Sequence, residues 1–259
     1  MKILSILNQK GGVWKTTTAV TVAHGMTVGD RRVLLVDLDA QGNVADCLGL
    51  EKKPSLHALL TGGDPIDAVS PSGRPRLGVV MGDRMTAETK RLLSSDPFGV
   101  FKLREALEGL ADGYDVCVLD SAPGADILQM GALVAATHFL IPVALDDLAV
   151  VGAVDAINMS HSLEKRGAFQ GAFLGVLPTQ WERTTKESQY QLAAMTDRFG
   201  ERAWPPIPVD TRAREAARNG KTLFEYDQTC RALRGVKTDS GTVGGYIRVI
   251  RRLLRELDL

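Results

Sequence analysis

Asn8-Gln9-Lys10-Gly11-Gly12-Val13-Trp14-Lys15-Thr16-Thr17-Thr18 is the stretch on which the reading of this chain turns. Before it, Ile3-Leu4-Ser5-Ile6-Leu7 is a short apolar run of the kind that forms a buried strand, and Thr16 to Val28 has the character of a helix. A strand, a glycine-containing loop with lysine and threonine, then a helix is the layout of a phosphate-binding loop. Such a loop turns backbone N–H groups and a helix N-terminus toward phosphate oxygens. In that layout Lys15 pairs with the β- and γ-phosphates and the Thr16 hydroxyl is a ligand of Mg²⁺. Lys10, Gly11, Gly12, Val13, Trp14 and Thr17 complete the expected nucleotide-binding set. The general pattern G-x-x-x-x-G-K-[ST] fails at both outer glycines, where Gln9 and Trp14 stand.

Two further strands end in acids. Arg31 to Asp37 is an apolar run that passes into Leu38-Asp39-Ala40-Gln41-Gly42-Asn43. Tyr114 to Asp120 is another, followed by Ser121-Ala122-Pro123-Gly124. Ligands of open parallel sheets bind at the C-terminal edge of the strands, so carboxylates delivered there are well placed for chemistry. Asp120 has the position of an acid that holds Mg²⁺ through water.

The remaining pattern alternates strand and helix. Residues 44–60 and 86–112 carry helical periodicity, with Leu77 to Met81 a strand between them. Helices are expected over Ile127 to Ala136, Leu148 to Leu163 and Glu187 to Phe199, and strands over Thr137 to Val143 and Gly171 to Leu177. This predicts a doubly wound α/β fold, a mostly parallel sheet with helices on both faces, in one domain spanning 1–259. A hydrophobic content of 44% and a charged content of 24% suit a globular protein with a full core. Cys47, Cys117 and Cys230 are too far apart for a zinc site and too few for a disulfide framework, which points to a reducing compartment. The absence of a long apolar run and of a leader-like start adds to the expectation of a cytoplasmic protein.

The halves Lys10-Gly11-Gly12 and Lys15-Thr16-Thr17 resemble the deviant Walker A loop, KGGxGK[ST], of the ParA/MinD family of ATPases, and the closest likeness is to short, Soj-like ParA proteins. Val36 to Asn43 is similar to the family's VDxDPQGN motif, with Ala40 at the usual proline. Ser121 to Gly124 resembles its DxPP loop, and Leu140 to Val143 and Leu177 to Thr179 its LIPV and LPT segments. The resemblance implies a P-loop ATPase that uses ATP and Mg²⁺ and dimerises around the nucleotide. It implies that Lys10 reaches the partner subunit's nucleotide, that Asp39 positions the attacking water, and that Asp37 lies near the metal with Thr16 and Asp120. The catalytic set is then Lys10, Lys15 and Asp39. Ile207 to Ala216 is similar to the family's IPxxxRxxEA stretch, which assigns Pro208 and Asp210 to the base or ribose and Arg212 to DNA phosphates.

Formal net charge is zero, yet residues 198–259 hold 13 Lys and Arg against 8 Asp and Glu. Arg212, Arg214, Arg218 and Lys221 form a cationic stretch opposed by Glu215 alone, suited to sequence-independent phosphate contact. Tyr246 to Leu257 is an amphipathic helix with Tyr246, Ile250, Leu253, Leu254 and Leu257 on one face. It reads as a last helix packed on the sheet in preference to a membrane-surface helix. With these features beside it, the resemblance implies a partition ATPase: an ATP-dependent homodimer on the nucleoid that binds DNA non-specifically and meets a ParB-like or other adaptor protein. Its cargo would be a plasmid, a chromosome or a protein assembly. A MinD-like membrane-cycling ATPase and a hydrolysis-deficient scaffold are the other readings. Trp14 is expected to leave nucleotide binding intact and to impair hydrolysis or dimerisation.

Overall fold

The computed structural model describes residues 1–145, 149–239 and 241–259. Leu148, the expected first residue of one helix, lies outside them. The first half of the chain runs β1 (Lys2–Ile6), α1 (Lys15–Val28), β2 (Val33–Asp37), α2 (Asn43–Leu48), α3 (Ser55–Leu60), β3 (Ser70–Pro71) and β4 (Leu77–Val80). It continues through α4 (Thr86–Ser95), α5 (Lys102–Glu108), β5 (Val116–Asp120) and α6 (Ile127–Ala135). The second half holds β6 (His138–Ala144), α7 (Ala149–Glu164), β7 (Ala172–Thr179), α8 (Lys186–Phe199), α9 (Thr211–Arg218), α10 (Leu223–Tyr226) and α11 (Arg231–Arg234). A hairpin of β8 (Val236–Thr238) and β9 (Gly241–Val243) then leads to α12 (Tyr246–Glu256).

Seven strands form one sheet in the order β3-β4-β2-β5-β1-β6-β7. All neighbours in it are parallel except β3, which pairs antiparallel with β4. β2 and β5 are buried at every position and made of Val, Leu, Cys and a final Asp, as strands covered on both faces must be. Helices cover both faces: α1, α2, α9 and α12 contribute to one apolar cluster, α3, α5 and α6 to another. β1 sits between β5 and β6; the crossover from β1 runs to β2 on one side, and that from β5 passes β1 to reach β6 on the other. The crevice at that switch is where open α/β sheets bind ligands.

Two of the expected helices are broken. The 44–60 segment divides because Gly49 caps α2 in a left-handed conformation (φ 68°) and Pro54 precedes α3. The 86–112 segment divides at Asp96-Pro97, since proline disfavours helical backbone in the residue before it. At the C-terminus, Tyr246, Val249, Ile250, Leu253 and Leu257 are buried in the cluster that α1 shares. The apolar face of α12 is therefore used up in packing.

The α9–α10 corner is fastened by a single side chain from the loop before β4. The Arg74 guanidinium donates to the carbonyls of Leu48 (2.6 Å) and Gly220 (3.0 Å) and pairs with Glu225 at 2.9 Å. It thus ties the ends of α2 and α9 together, where Gly49 and Gly220 pack backbone to backbone.

Candidate active site

The loop from Lys10 to Thr17 and the acids Asp37, Asp39 and Asp120 converge at the C-terminal edge of β1, β2 and β5. The loop after β1 begins at Asn8, fully buried, whose amide donates to the Pro142 carbonyl at 2.8 Å. Its Oδ1 accepts from the Lys10 N–H at 2.9 Å, which starts the turn. Gly11 and Gly12 are exposed, and a Cβ on either would stand in open space. The Lys15 side chain folds back across the loop and donates from Nζ to the Lys10 carbonyl at 2.7 Å. Burial lowers the Lys15 pKa, while Asp120 and Asp39 favour its charged form. Thr16 and Thr17 occupy the first turn of α1.

Trp14 precedes α1 in a left-handed conformation, φ 63° and ψ 34°. This backbone geometry, which glycine adopts freely, costs an L-residue about 1–2 kcal/mol. The indole is half-buried and packs against the apolar cluster around α1. The side chain is thus anchored in protein instead of standing free above the loop. Trp14→Gly is accordingly expected to remove the strain but also the indole packing. A nucleotide-free melting temperature within a few degrees of wild type is the expected calorimetric result, since the two changes oppose each other.

Asp37 and Asp120 end neighbouring strands in register and are both fully buried. Asp37 accepts from the N–H groups of Asp39 (2.9 Å) and Val44 (3.1 Å), which fixes the turn after β2 and the start of α2. Among the described residues neither Asp120 oxygen meets a partner in full hydrogen-bond geometry, although the Thr16 side chain lies close to it. Burial raises both carboxyl pKa values above the ordinary range, and the Asp37 charge raises that of Asp120 further. Thr16 and Lys15 pull Asp120 back toward the anion. Asp39 is half-buried, beyond the end of β2, with its Oδ1 accepting from the Gln41 N–H at 3.0 Å.

The loop after β5 joins the same edge. Gly124 N–H donates to the Gln9 carbonyl at 3.0 Å, and the Gln129 amide reaches back to the Ala122 carbonyl at 3.4 Å. The loop after β7 lies on the other side. Thr179 and Gln180 donate to the Val13 and Gly12 carbonyls, and Trp181 pairs with the Pro208 segment through a short parallel bridge. Sequence reading gave Thr179 only as part of a family turn and did not single out Gln180 or Gln129. Their signal is positional, because each acts from far along the chain on a carbonyl of another loop.

Pro208 is buried beside this loop. Asp210, assigned by sequence to the base or ribose, has a different use. It is 2% exposed and caps α9 by accepting from Arg212 N–H (3.1 Å), while its other oxygen accepts from the N–H groups of Arg231 (2.7 Å) and Ala232 (3.3 Å). With Arg212 Nη1 also 3.4 Å from Oδ1, its acceptor positions are filled from within the protein. Arg212 makes a second ion pair with Asp227 at 2.6 Å. Arg214, Arg218 and Lys221 are exposed along and just beyond α9.

The family model described as an AAA domain matches residues 1–170. The chromosome partitioning protein ParA of Caulobacter vibrioides is 30% identical over 241 residues, 89% of either chain. The chain belongs to the ParA/MinD family of deviant Walker A ATPases. The chromosome-partitioning ATPase Soj of Thermus thermophilus is 33% identical over 228 residues, covering 87% of this chain and 88% of that one. Among solved structures, Cyanothece McdA superposes with a TM-score of 0.81 in its apo form and 0.80 as the ATP complex of an aspartate-to-alanine variant, at 30% identity in both. These alignments cover 88% of this chain and 94% and 90% of McdA. The fold is thus that of a family of ATP-binding P-loop ATPases.

Proposed function

We propose that the protein is a ParA-type partition ATPase that dimerises with ATP, holds DNA without sequence preference and positions a plasmid, chromosome or protein cargo. The observation that carries this reading is the convergence of the Lys10–Thr17 loop with Asp37, Asp39 and Asp120 at one strand edge, with an exposed cationic helix, α9, on the same polypeptide. In this reading Gly11 and Gly12 leave room for phosphate and Lys15 serves the β- and γ-phosphates. Lys10 reaches the nucleotide of the partner subunit, and Pro208 lies against the base.

Mg²⁺ fits the residues present. Thr16, Asp37 and Asp120 offer hard oxygen donors, and two buried carboxylates whose charge burial opposes gain from a cation. No group of three His, Cys, Asp or Glu suited to a metal occurs among the described residues, which accords with a cation that keeps waters and binds substrate phosphates. The metal would neutralise charge on the phosphates. The chain's own part is to hold that charge in place, to keep Lys15 charged, and to orient water from Asp39.

On the α9 surface, Arg212→Glu is expected to weaken DNA binding about tenfold and to leave ATP affinity within about twofold, because a phosphate contact is replaced by repulsion. Asp210 and Asp227 already flank this residue, so Arg218→Glu, at an exposed site on the same helix, serves as a companion. Co-sedimentation with DNA across a salt series, with and without ATP, measures both. DNA binding by the variants equal to wild type would move the contact elsewhere. The membrane-cycling alternative draws no support from α12, whose apolar residues are spent on the core, and no helix among the described residues is long and apolar enough to cross a membrane. Vesicle co-sedimentation is the matching check.

A further inference from the structure

A loop that aims its N–H groups at an anion must turn the carbonyls of the same residues outward, where each needs a donor of its own. Three carbonyls of this loop are served in that way. Lys10 O takes the Lys15 ammonium at 2.7 Å. Gly12 O takes the Gln180 side-chain amide at 2.6 Å, and Val13 O takes the Thr179 hydroxyl at 3.1 Å. The last two donors are consecutive residues at the end of β7, yet they bind consecutive carbonyls far away in sequence.

The gripping loop is itself rigid and under strain. Thr179 is fully buried, and its carbonyl accepts from Leu145 N–H at 3.2 Å. Gln180 has a left-handed backbone, φ 57°, unusual for a residue with a side chain. Trp181 exchanges backbone hydrogen bonds with Ile207 and Val209, both at 2.9 Å, which fastens the next residue. Strain of this kind persists where the surroundings over-determine a conformation, and it gathers at ligand clamps. The residue right after the two gripped carbonyls is Trp14, the second left-handed position, where the loop lacks the glycine that would take the conformation unaided.

We propose that Thr179 and Gln180 are a clamp on the phosphate loop, which holds Gly12 and Val13 with their N–H groups turned to the nucleotide and offsets the strain at Trp14. Both are positioning residues, since they touch the loop's carbonyls and act on ATP only through it. The proposal rests on the reading of Lys10 to Thr17 as the nucleotide loop. The Gln180 amide is the accessible member of the pair, and its donor can be exchanged for an acceptor without a change of shape. Thr179, enclosed by the core, sets the height of the loop.

Gln180→Glu replaces the donor by an acceptor facing a carbonyl, and Thr179→Val removes the hydroxyl at nearly constant volume. Mg·ATPγS binding to the full chain, measured by isothermal titration calorimetry, is expected to weaken about tenfold in each. Thr179→Ser keeps the hydroxyl and is expected to bind as wild type does. The discriminating measurement is the pair Gln180→Glu and Gln180→Glu/Trp14→Gly. If the clamp offsets strain at Trp14, the loss caused by Gln180→Glu shrinks to within about threefold once glycine occupies position 14. The nucleotide-free melting temperature of the Gln180 variant should stay within a few degrees of wild type, as befits a surface loop. Wild-type affinity in Gln180→Glu would overturn the clamp while leaving the nucleotide loop standing. An equal loss in both backgrounds would overturn the link to Trp14. Failure of the wild-type chain itself to bind Mg·ATPγS would overturn the loop reading along with the clamp.

Discussion

Asp39→Ala is expected to lower ATP turnover by about 100-fold or more while ATP-dependent dimerisation persists. The carboxylate lies beyond the end of β2 and is half-buried, next to the phosphate loop but outside it. Its Oδ1 accepts from the Gln41 N–H, and in the proposed reading the carboxylate orients a water molecule. Orientation of the nucleophile is the main service a protein gives to phosphoryl transfer, and loss of that positioning costs factors of this size. The cradle made by Lys10 to Thr17 does not depend on the Asp39 side chain, and the turn after β2 is held by Asp37. Size-exclusion chromatography with ATP and a phosphate-release assay read the two effects separately. Loss of nucleotide binding in this variant would give Asp39 a binding role in place of a hydrolytic one.

Much of this was legible in the chain before its structure. The apolar runs Ile3 to Leu7, Arg31 to Asp37 and Tyr114 to Asp120 read as buried strands, and in the structure all three carry their polar loops to one edge. The strand-loop-helix layout singles out Lys15 and Thr16, and the strand end Asp120, whereas the roles of Asp37 and Asp39 come with the family resemblance. What escaped sequence reading depends on contacts between distant segments. Asp210 is assigned to the base or ribose through its place in the IPxxxRxxEA resemblance, and the approach of Arg231 and Ala232 shows its carboxylate engaged in capping two helices. The breaks after Leu48 and Ser95 were marked by Gly49 and by Asp96-Pro97, yet helical periodicity on either side masked them. The short antiparallel β3 has no pattern of its own, since two residues at a sheet edge are too few to show one. Gln180 carries no motif signal at all; its importance comes from where β7 delivers it.

Gly82 is a further residue of this type, and Gly82→Ala is expected to cost turnover about as much as loss of the Asp39 carboxylate without altering any acid of the site. Gly82 follows β4 and is buried against the turn that carries Asp39. A Cβ at this position would collide with the Asp39 carbonyl oxygen and stand 3.0 Å from that of Asp37. Both obstacles are backbone, so neither can swing aside as a side-chain tip would. The approach is mutual: Gly42, at φ 64°, lies with its own missing Cβ 2.6 Å from the Gly82 carbonyl. The Asp39 carbonyl is also engaged by Gly42 N–H at 3.1 Å, so a displaced Asp39 takes its whole turn with it. A shift on the order of 1 Å at a catalytic group costs about 100-fold in rate. ATP affinity should change little, because the contacts that hold the phosphate loop come from the β5 loop and the Thr179–Gln180 pair, whereas a Cβ on Gly82 meets first the backbone of Asp37 and Asp39. Gly113→Ala, where a Cβ meets nothing within 4 Å and φ is not positive, is the control and should behave as wild type. Steady-state phosphate release and calorimetric ATP binding on the two variants check the claim. Turnover by Gly82→Ala at the wild-type rate would mean that the β2 turn yields freely, and that the position of Asp39 is set by something other than this glycine contact.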